Sequence, residues 1–442
     1  MSATTSRTSQ TSRSPRSPRD SWAWWSSRGP RSSRAPRPWW RRGWVLAVVA
    51  VLVAASAVRV LTGTDALTGS GVVNAALRLA VPIGLAGLSG LWSERAGVAN
   101  LGIEGMMIIG TVCGAWAGYT HGVWAGVLAG ALGGIAAGLL HAVATVTFGV
   151  DQAVCGIAIN ILALGVARFL SVIAFSGLPG AGATQSPPVR GVIDTVSVPF
   201  LAGGAGTPDL LGDLERTRWF LVSDAAGILR GLLHEVSWFT VLAVALVLGS
   251  VVVLWYTAFG LRLRSAGEHP AAADSLGVPV HRMRYCGVLV SGALAGLAGS
   301  YLVTVSSNVY REGQTGGRGF IGLAAMIFGN WRPGGTAGGA LLFGYADALQ
   351  LRQATAVHVL LLLAAVLAWT AALVVLRRRP RTAAALALAG VAAFAVFQTT
   401  DAIPTQLIYA TPYLVTLLVL VTVAQRLRMP TYAGLPYRRG ET

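Results

Sequence analysis

Residues 110–138 read GTVCGAWAGYTHGVWAGVLAGALGGIAAG. Glycine stands at 110, 114, 118, 122, 126, 130, 134 and 138, and the run holds no Asp, Glu, Lys or Arg. On a helix, residues four apart share one face, so these glycines form a stripe without side chains along which a second backbone approaches closely in lipid. The stretch reads as two membrane helices pressed into a tight bundle. It is a packing signal and is silent on substrate. Gly292, Gly296 and Ser300 repeat the pattern in a later apolar run.

The rest of the chain agrees with a lipid-solvated protein. Of 442 residues, 54% are hydrophobic and 12% charged, about half the charged share of a soluble domain. A span needs about 20 apolar residues. By that measure the apolar runs are 43–61, 71–92, 101–120, 122–148, 153–176, 237–257, 285–305, 318–330, 336–351, 357–376, 382–399 and 405–425. The expected fold is an all-α polytopic membrane protein of about 12 transmembrane helices. The runs 318–330 and 336–351 are short, which suits re-entrant segments or a hairpin buried in protein.

Net charge is +17, and every basic residue is arginine. A chain without lysine has no P-loop lysine and no Schiff-base lysine. With the N-terminus inside, twelve spans place +18 on the inner segments and −2 on the outer ones, leaving +1 within the spans. This asymmetry predicts cytoplasmic N- and C-termini. Half of the inner charge lies in residues 1–42, a Ser-, Pro- and Arg-rich tail with Trp22, Trp24, Trp25, Trp39 and Trp40. Its composition predicts disorder. Tryptophan beside arginine suits an anionic membrane surface, and a bare composition bias suits it equally. No nucleic-acid partner is expected for a tail tethered directly to a span. Cys113, Cys155 and Cys286 lie in apolar runs with no paired spacing, as small core residues do.

Two segments outside the spans stand out. Residues 177–236 hold Gly-Leu-Pro-Gly at 177–180, Ser186-Pro187-Pro188 and an acid-rich run from Asp209 to Glu215, and predict an outer cap of short helices and turns. Residues 258–284 form an inner loop. There Pro270 suits a first helical turn, Glu268 favours that turn's start, and Gly277 ends a short helix over 270–276.

In Ser93–Met107, Asn100 and Glu104 lie four apart on one helical face at the edge of a span. An acid at the centre of a span costs about 2.5–3.5 kcal/mol on insertion scales, so such a group has a purpose. Either Asn100 and Glu104 line a translocation path or fix a helix break beside it, or Glu104 satisfies a neighbouring helix end or pairs with Arg95 or Arg78. Asn160 suits a path contact or a helix–helix hydrogen bond. Arg168 suits an interface or an acid to neutralise. The six histidines show no metal spacing, there is no nucleophile elbow, and no carboxylate pair is placed for hydrolysis. The expectation is of a chain with no catalytic residue and no metal site.

The run Ser93–Met107, the loop Gly260–Arg284 with Tyr285 and Ser291–Gly296, and the run Thr315–Gly329 resemble permease subunits of ABC-type importers. The branch is the one for ribose, branched-chain amino acids and nucleosides, and within it nucleoside permeases that work with a basic-membrane-protein-type lipoprotein. Ala346–Arg352 and Gly434-Leu435-Pro436-Tyr437 resemble that branch as well. The resemblance covers roughly 70–352 and 404–440.

It implies a ten-helix permease core over 43–352, completed by a last helix and cytoplasmic C-terminus over 404–442, with 353–403 as an inserted two-helix segment. It further implies a cytoplasmic ATPase gripping Arg264, Glu268, Ala272, Asp274, Gly277 and Arg282. The partners would be a second, related permease in a heterodimer and an extracytoplasmic substrate-binding lipoprotein, in a bacterial plasma membrane. The chain itself would carry no cofactor, with ATP hydrolysed on the partner. For a nucleoside, the polar contacts would fall on Asn100, Glu104, Asn160, Asn308 and Gln314. The alternatives are a same-class permease for simple sugars or branched-chain amino acids, and an ion-coupled secondary carrier.

Overall fold

The computed structural model describes residues 39–182, 184–351, 354–400 and 427–437. The tail through residue 38, the run 405–425 and residues 438–442 lie outside the described residues. The chain divides into two compact units, Met1–Ala50 and Val51–Thr442. Of the first, residues 39–50 are described, as the opening of helix α1 (Trp39–Thr62). The rest of α1 and all later elements belong to the second unit.

Fifteen α-helices are seen among the described residues. After α1 come α2 (Ser70–Arg95), α3 (Ile103–His121), α4 (Val123–Ala142) and α5 (Gln152–Phe175). The segment after α5 is built from strand β1 (Thr195–Val196), α6 (Leu210–Arg216), α7 (Val222–Leu233) and strand β2 (Val236–Ser237). Next come α8 (Trp238–Tyr256), α9 (Ala258–Glu268), α10 (Pro270–Ser275), α11 (Val280–Tyr301), α12 (Arg318–Phe328) and α13 (Pro333–Leu351). The last two are α14 (Ala354–Val375) and α15 (Pro380–Thr399). β1 and β2 pair antiparallel, Thr195 opposite Ser237. One π-helical turn extends α4 over Val143–Thr147, and a second extends α11 over Leu302–Ser307.

Each of the eleven expected apolar runs that falls on described residues is helical. Among the described residues, seven helices are long and apolar enough to cross a membrane: α2, α4 with its π turn, α5, α8, α11 with its π turn, α14 from His358, and α15. α12 has 11 residues, about 16 Å of helix against a hydrocarbon core about 30 Å thick. It turns back at Gly329–Arg332 and pairs with α13, with Gly329 against Gly335 and Thr336. The two form a hairpin against α2, where Gly87 meets Gly322 and Thr336. α3 and α13, of 19 residues each, are long enough to span but rich in glycine and alanine. Their composition serves contact with protein, so mean hydropathy understates them.

The glycine stripe folds as its spacing predicts. Gly110 faces Gly296, Gly126 faces Gly114, Gly130 faces Ser300, and Gly134 lies between Gly292 and Gly296. Thus α3, α4 and α11 pack backbone to backbone, and α2 lies along α11. On the lipid-facing sides, Leu128 and Leu132 of α4, Ile157 and Ile161 of α5, and Leu248 and Val252 of α8 are exposed.

α2 has 26 residues and is about 39 Å long, so its two ends define two faces of the bundle. At Ser70 it meets the cap. The Ser70 amide donates to Glu215 (2.8 Å), Arg230 donates to the Ser70 hydroxyl (3.1 Å), and Gly231 packs on Val73. Short helices and turns build residues 177–236, as expected. Within them Arg230 pairs with Asp209 at 2.7 Å, and its guanidinium holds the Asp209 carboxyl below the usual carboxylate range. At Arg95, on the opposite end, α2 meets α9 and the 329–332 turn.

Candidate functional site

The chain breaks between α2 and α3 over residues 96–102, and polar side chains hold the break. The Asn100 carbonyl oxygen accepts from the Gly102 amide (3.0 Å), and its NH2 donates to Ser291 (2.9 Å), which also bonds Ser89 (2.8 Å). Asn160 of α5 clasps the same segment, accepting from the Gly105 amide (2.7 Å) and donating to the Leu101 carbonyl (2.8 Å). Asn160 is thus a helix–helix hydrogen bond, one of its two expected roles.

Glu104 opens α3 and points at the start of α12. Its carboxylate accepts from the Gly317 amide (2.9 Å) and the Gly319 amide (2.6 Å). A helix N-terminus has amides without intrahelical partners and a partial positive charge, so a buried carboxylate is satisfied there. Glu104 thus satisfies a neighbouring helix end, one of the roles open to it. Arg95 is engaged elsewhere, donating to the Trp331 carbonyl (2.7 and 3.1 Å) and to Glu268 (3.4 Å). Removing a charged acceptor that serves two buried amides costs about 1–3 kcal/mol. Glu104→Ala should therefore lower the unfolding midpoint of the detergent-extracted protein, with Glu104→Gln in between; a midpoint unchanged by both would contradict this role.

Asn308 and Gln314 sit in the loop between the π turn and α12. Asn308 closes the π turn with φ +57°. Gln314 accepts from the Arg311 amide (3.1 Å). The Asn308 side-chain Oδ1 and the Gln314 side-chain Nε2 are buried without hydrogen-bond partners among the described residues. Gln314 lines a small cleft with Ile108 and Thr111 of α3, Leu164 of α5 and Tyr310. Backbone pairing with 184–186 fixes this loop: the Ser186 amide donates to the Tyr310 carbonyl (3.0 Å), and the Glu312 amide to Thr184 (2.9 Å). Burial, assisted by Glu312, pushes the Tyr310 hydroxyl up to about 12, so it stays a neutral donor. Arg168 meets Glu312 at 3.2 Å, as the acid to neutralise. Sequence reasoning misses Tyr310 and Thr111; the aromatic between Asn308 and Glu312 is the one signal that points to them.

On the opposite face, α10 runs Pro270–Ser275 and Gly277 follows with φ +82°, a value glycine adopts freely. The expected short helix is therefore present. One detail differs. Glu268 ends α9 rather than opening α10, because the Arg95 guanidinium and Thr431 draw its carboxylate toward the bundle (3.4 and 3.1 Å). Ala272, Gly277 and Arg282 are exposed, with Leu276 at 84%. Asp274 is half-buried and bonded, and Arg264 lies over Trp255.

Residues 427–437 strap this face. The Tyr432 amide donates to the Gly267 carbonyl (3.0 Å) and the Arg428 amide to Asn330 (2.7 Å). The Leu435 carbonyl accepts from the buried Arg284 (3.1 Å) and from Gln152 (3.4 Å), whose own oxygen takes the Ala99 amide (2.7 Å). The Gly-Leu-Pro-Tyr stretch thus joins the α9–α10 corner to the 96–102 break.

A helical bundle buried through glycine stripes, a half-length helix capped by a carboxylate within the bundle, and an exposed helical knob on one face define a multi-pass membrane permease. The description "branched-chain amino acid transport system / permease component" matches residues 72–371, and the chain belongs to that permease family. Among curated proteins it is similar to the guanosine ABC transporter permease protein NupQ of Bacillus subtilis, 34% identical over 292 residues, covering 63% of this chain and 82% of the relative. It is likewise similar to the nucleoside ABC transporter permease protein NupC of Lactococcus lactis, 33% identical over 277 residues (61% and 78%). A putative glucose ABC transporter permease of Haloferax volcanii is 32% identical over 285 residues (64% and 78%). No solved structure matches. The chain is an ABC transporter permease, and its relatives are transport proteins rather than enzymes. Permeases of this kind work with an ATPase and a substrate-binding partner.

Proposed function

We propose that this chain is the pore-forming subunit of a nucleoside importer. The observation that carries this reading is the similarity to the guanosine and nucleoside permeases, which extends over about four-fifths of their length. In this reading the bundle is a ten-helix core with α14 and α15 as an inserted pair, and both termini are cytoplasmic. A cytoplasmic ATPase grips the ridge of Ala272, Leu276, Gly277 and Arg282, while Glu268 ties the end of α9 to Arg95 and Thr431. ATP is hydrolysed on that partner, which accords with a chain that has no lysine. A related permease completes the pore, and a substrate-binding lipoprotein docks on the cap side. Asn308 and Gln314, with an unspent acceptor and donor, contact the nucleoside; Asn100, Glu104 and Asn160 shape the wall behind them.

Competition among labelled guanosine, ribose, glucose and leucine in a deletion strain tests the substrate. Loss of nucleoside uptake alone is expected; loss of glucose uptake instead would favour the sugar reading, which the Haloferax relative supports. Gly277→Arg tests the coupling. No atom lies within 4 Å of a Cβ at this site, but the +82° φ strains any L side chain there, so Gly277→Ala, which carries the same strain without the bulk, is the control, and both variants should insert. Gly277→Arg should lose the co-purifying ATPase and cut uptake about ten-fold or more. Retained ATPase with full uptake would remove the ridge from the interface.

A further inference from the structure

α8 ends at Trp255 and Tyr256, on the same face as Arg95. As a span with a lipid-facing side, it sets the depth of the headgroup layer there. Trp and Tyr at a span end mark that layer. Here Trp255 carries two guanidiniums, those of Arg95 and Arg264, each 5.4 Å from its ring centroid. Arg95 is spent on the Trp331 carbonyl and on Glu268. Arg264 is not: among the described residues it has no hydrogen bond or ion pair, and its Nε is buried without a partner. The nearby acids are occupied, Glu94 by the Trp331 indole and Glu268 by Arg95 and Thr431. Arg332 is exposed and directly follows Trp331, whose carbonyl Arg95 holds. Tyr256 (79%), Phe259 and Leu261 expose an apolar border beside them.

We propose that Arg264, stacked on Trp255, and the exposed Arg332 beside Trp331 bind the phosphate of an anionic phospholipid in the cytoplasmic leaflet. An unpaired guanidinium at headgroup depth, with its neighbouring carboxylates already bonded, supplies a fork of donors and a net positive field that phosphate oxygens satisfy. The acyl chains would lie along the apolar face of α8, at Val252 and Leu248. Anionic lipid is attracted by about 1 kcal/mol per arginine near the surface, about a five-fold preference for each. This inference rests on the inward-facing orientation of the 258–284 loop under the permease reading.

The test uses the full chain with its co-purifying ATPase, reconstituted in nanodiscs of equal parts phosphatidylglycerol and phosphatidylcholine, with retained lipid counted by native mass spectrometry. The wild type should retain phosphatidylglycerol over phosphatidylcholine by about five-fold or more. Arg264→Gln/Arg332→Gln should bring the ratio near unity, and Arg216→Gln, at the cap end, should leave it unchanged. Equal retention of both lipids by the wild type, or a ratio unmoved by the double variant, overturns the proposal. So does loss of the ATPase from the double variant at an unchanged lipid ratio, which would assign these arginines to the protein partner. If instead uptake needs no ATPase while the lipid preference holds, the transport reading fails and the lipid site stands.

Discussion

Gly134→Val is expected to abolish accumulation of folded protein. A Cβ at Gly134 would overlap the Gly292 carbonyl oxygen and stand 2.7 Å from the Gly296 backbone. The contact is reciprocal: a Cβ at Gly296 would overlap the Gly130 carbonyl, and one at Gly292 the Gly134 carbonyl. The opposing atoms are backbone, so no rotamer change relieves the clash; α4 and α11 must separate along their length. Overpacking a core ordinarily costs about 1–3 kcal/mol, and a backbone–backbone wedge belongs at or above the upper end. Gly165→Val on α5, where nothing lies within 4 Å, is the matched control and should behave as wild type. Monodisperse yield after detergent extraction decides it. Wild-type yield and midpoint for Gly134→Val would refute the packing.

The second large effect falls on the pair that ties α1 to the cap. Arg59 donates from Nε to Asp224 at 3.0 Å, with the two side chains 8% and 0% exposed. Arg59 also donates to the Arg218 and Trp219 carbonyls (3.4 and 3.3 Å), and Thr68 donates to Asp224. Removing one member strands a buried charge, at a cost of about 3–5 kcal/mol. Asp224→Leu alone should therefore lower the unfolding midpoint sharply. The double variant Arg59→Met/Asp224→Leu should recover most of the loss, because burying two apolar side chains replaces a desolvated pair at little cost. A double-mutant cycle measures the coupling; additive losses would mean that the two charges are not coupled.

The sequence announces these two effects unequally. The glycine stripe is visible as a period of four, and period four has one structural meaning on a helix. Its partner is half visible, since Gly292, Gly296 and Ser300 repeat the spacing. The Arg59–Asp224 pair has no such mark, because the two residues lie 165 apart and neither sits in a motif. The candidate site divides the same way. The 270–277 helix follows from Pro270 and Gly277, both local signals. The role of Glu104 does not. Its partners are backbone amides at 317 and 319, on a helix that begins more than two hundred residues later.

By itself, the sequence determined that this protein lives in lipid, which runs are helical, that the bundle is glycine-packed, and which loop carries a short helix. Those properties depend on composition and on spacing within one or two turns. The short run at 318–330 already suggested a re-entrant segment or a hairpin; tertiary structure alone decided that it is the hairpin, that Glu104 caps α12, and that Glu268 turns toward Arg95 instead of opening α10. It also decided that the C-terminal strap joins the α9–α10 corner to the 96–102 break. Each of these is the choice of a partner for a buried polar group. In a medium without water every such group must find a partner within the protein, and which partner lies within reach is set by how the helices pack.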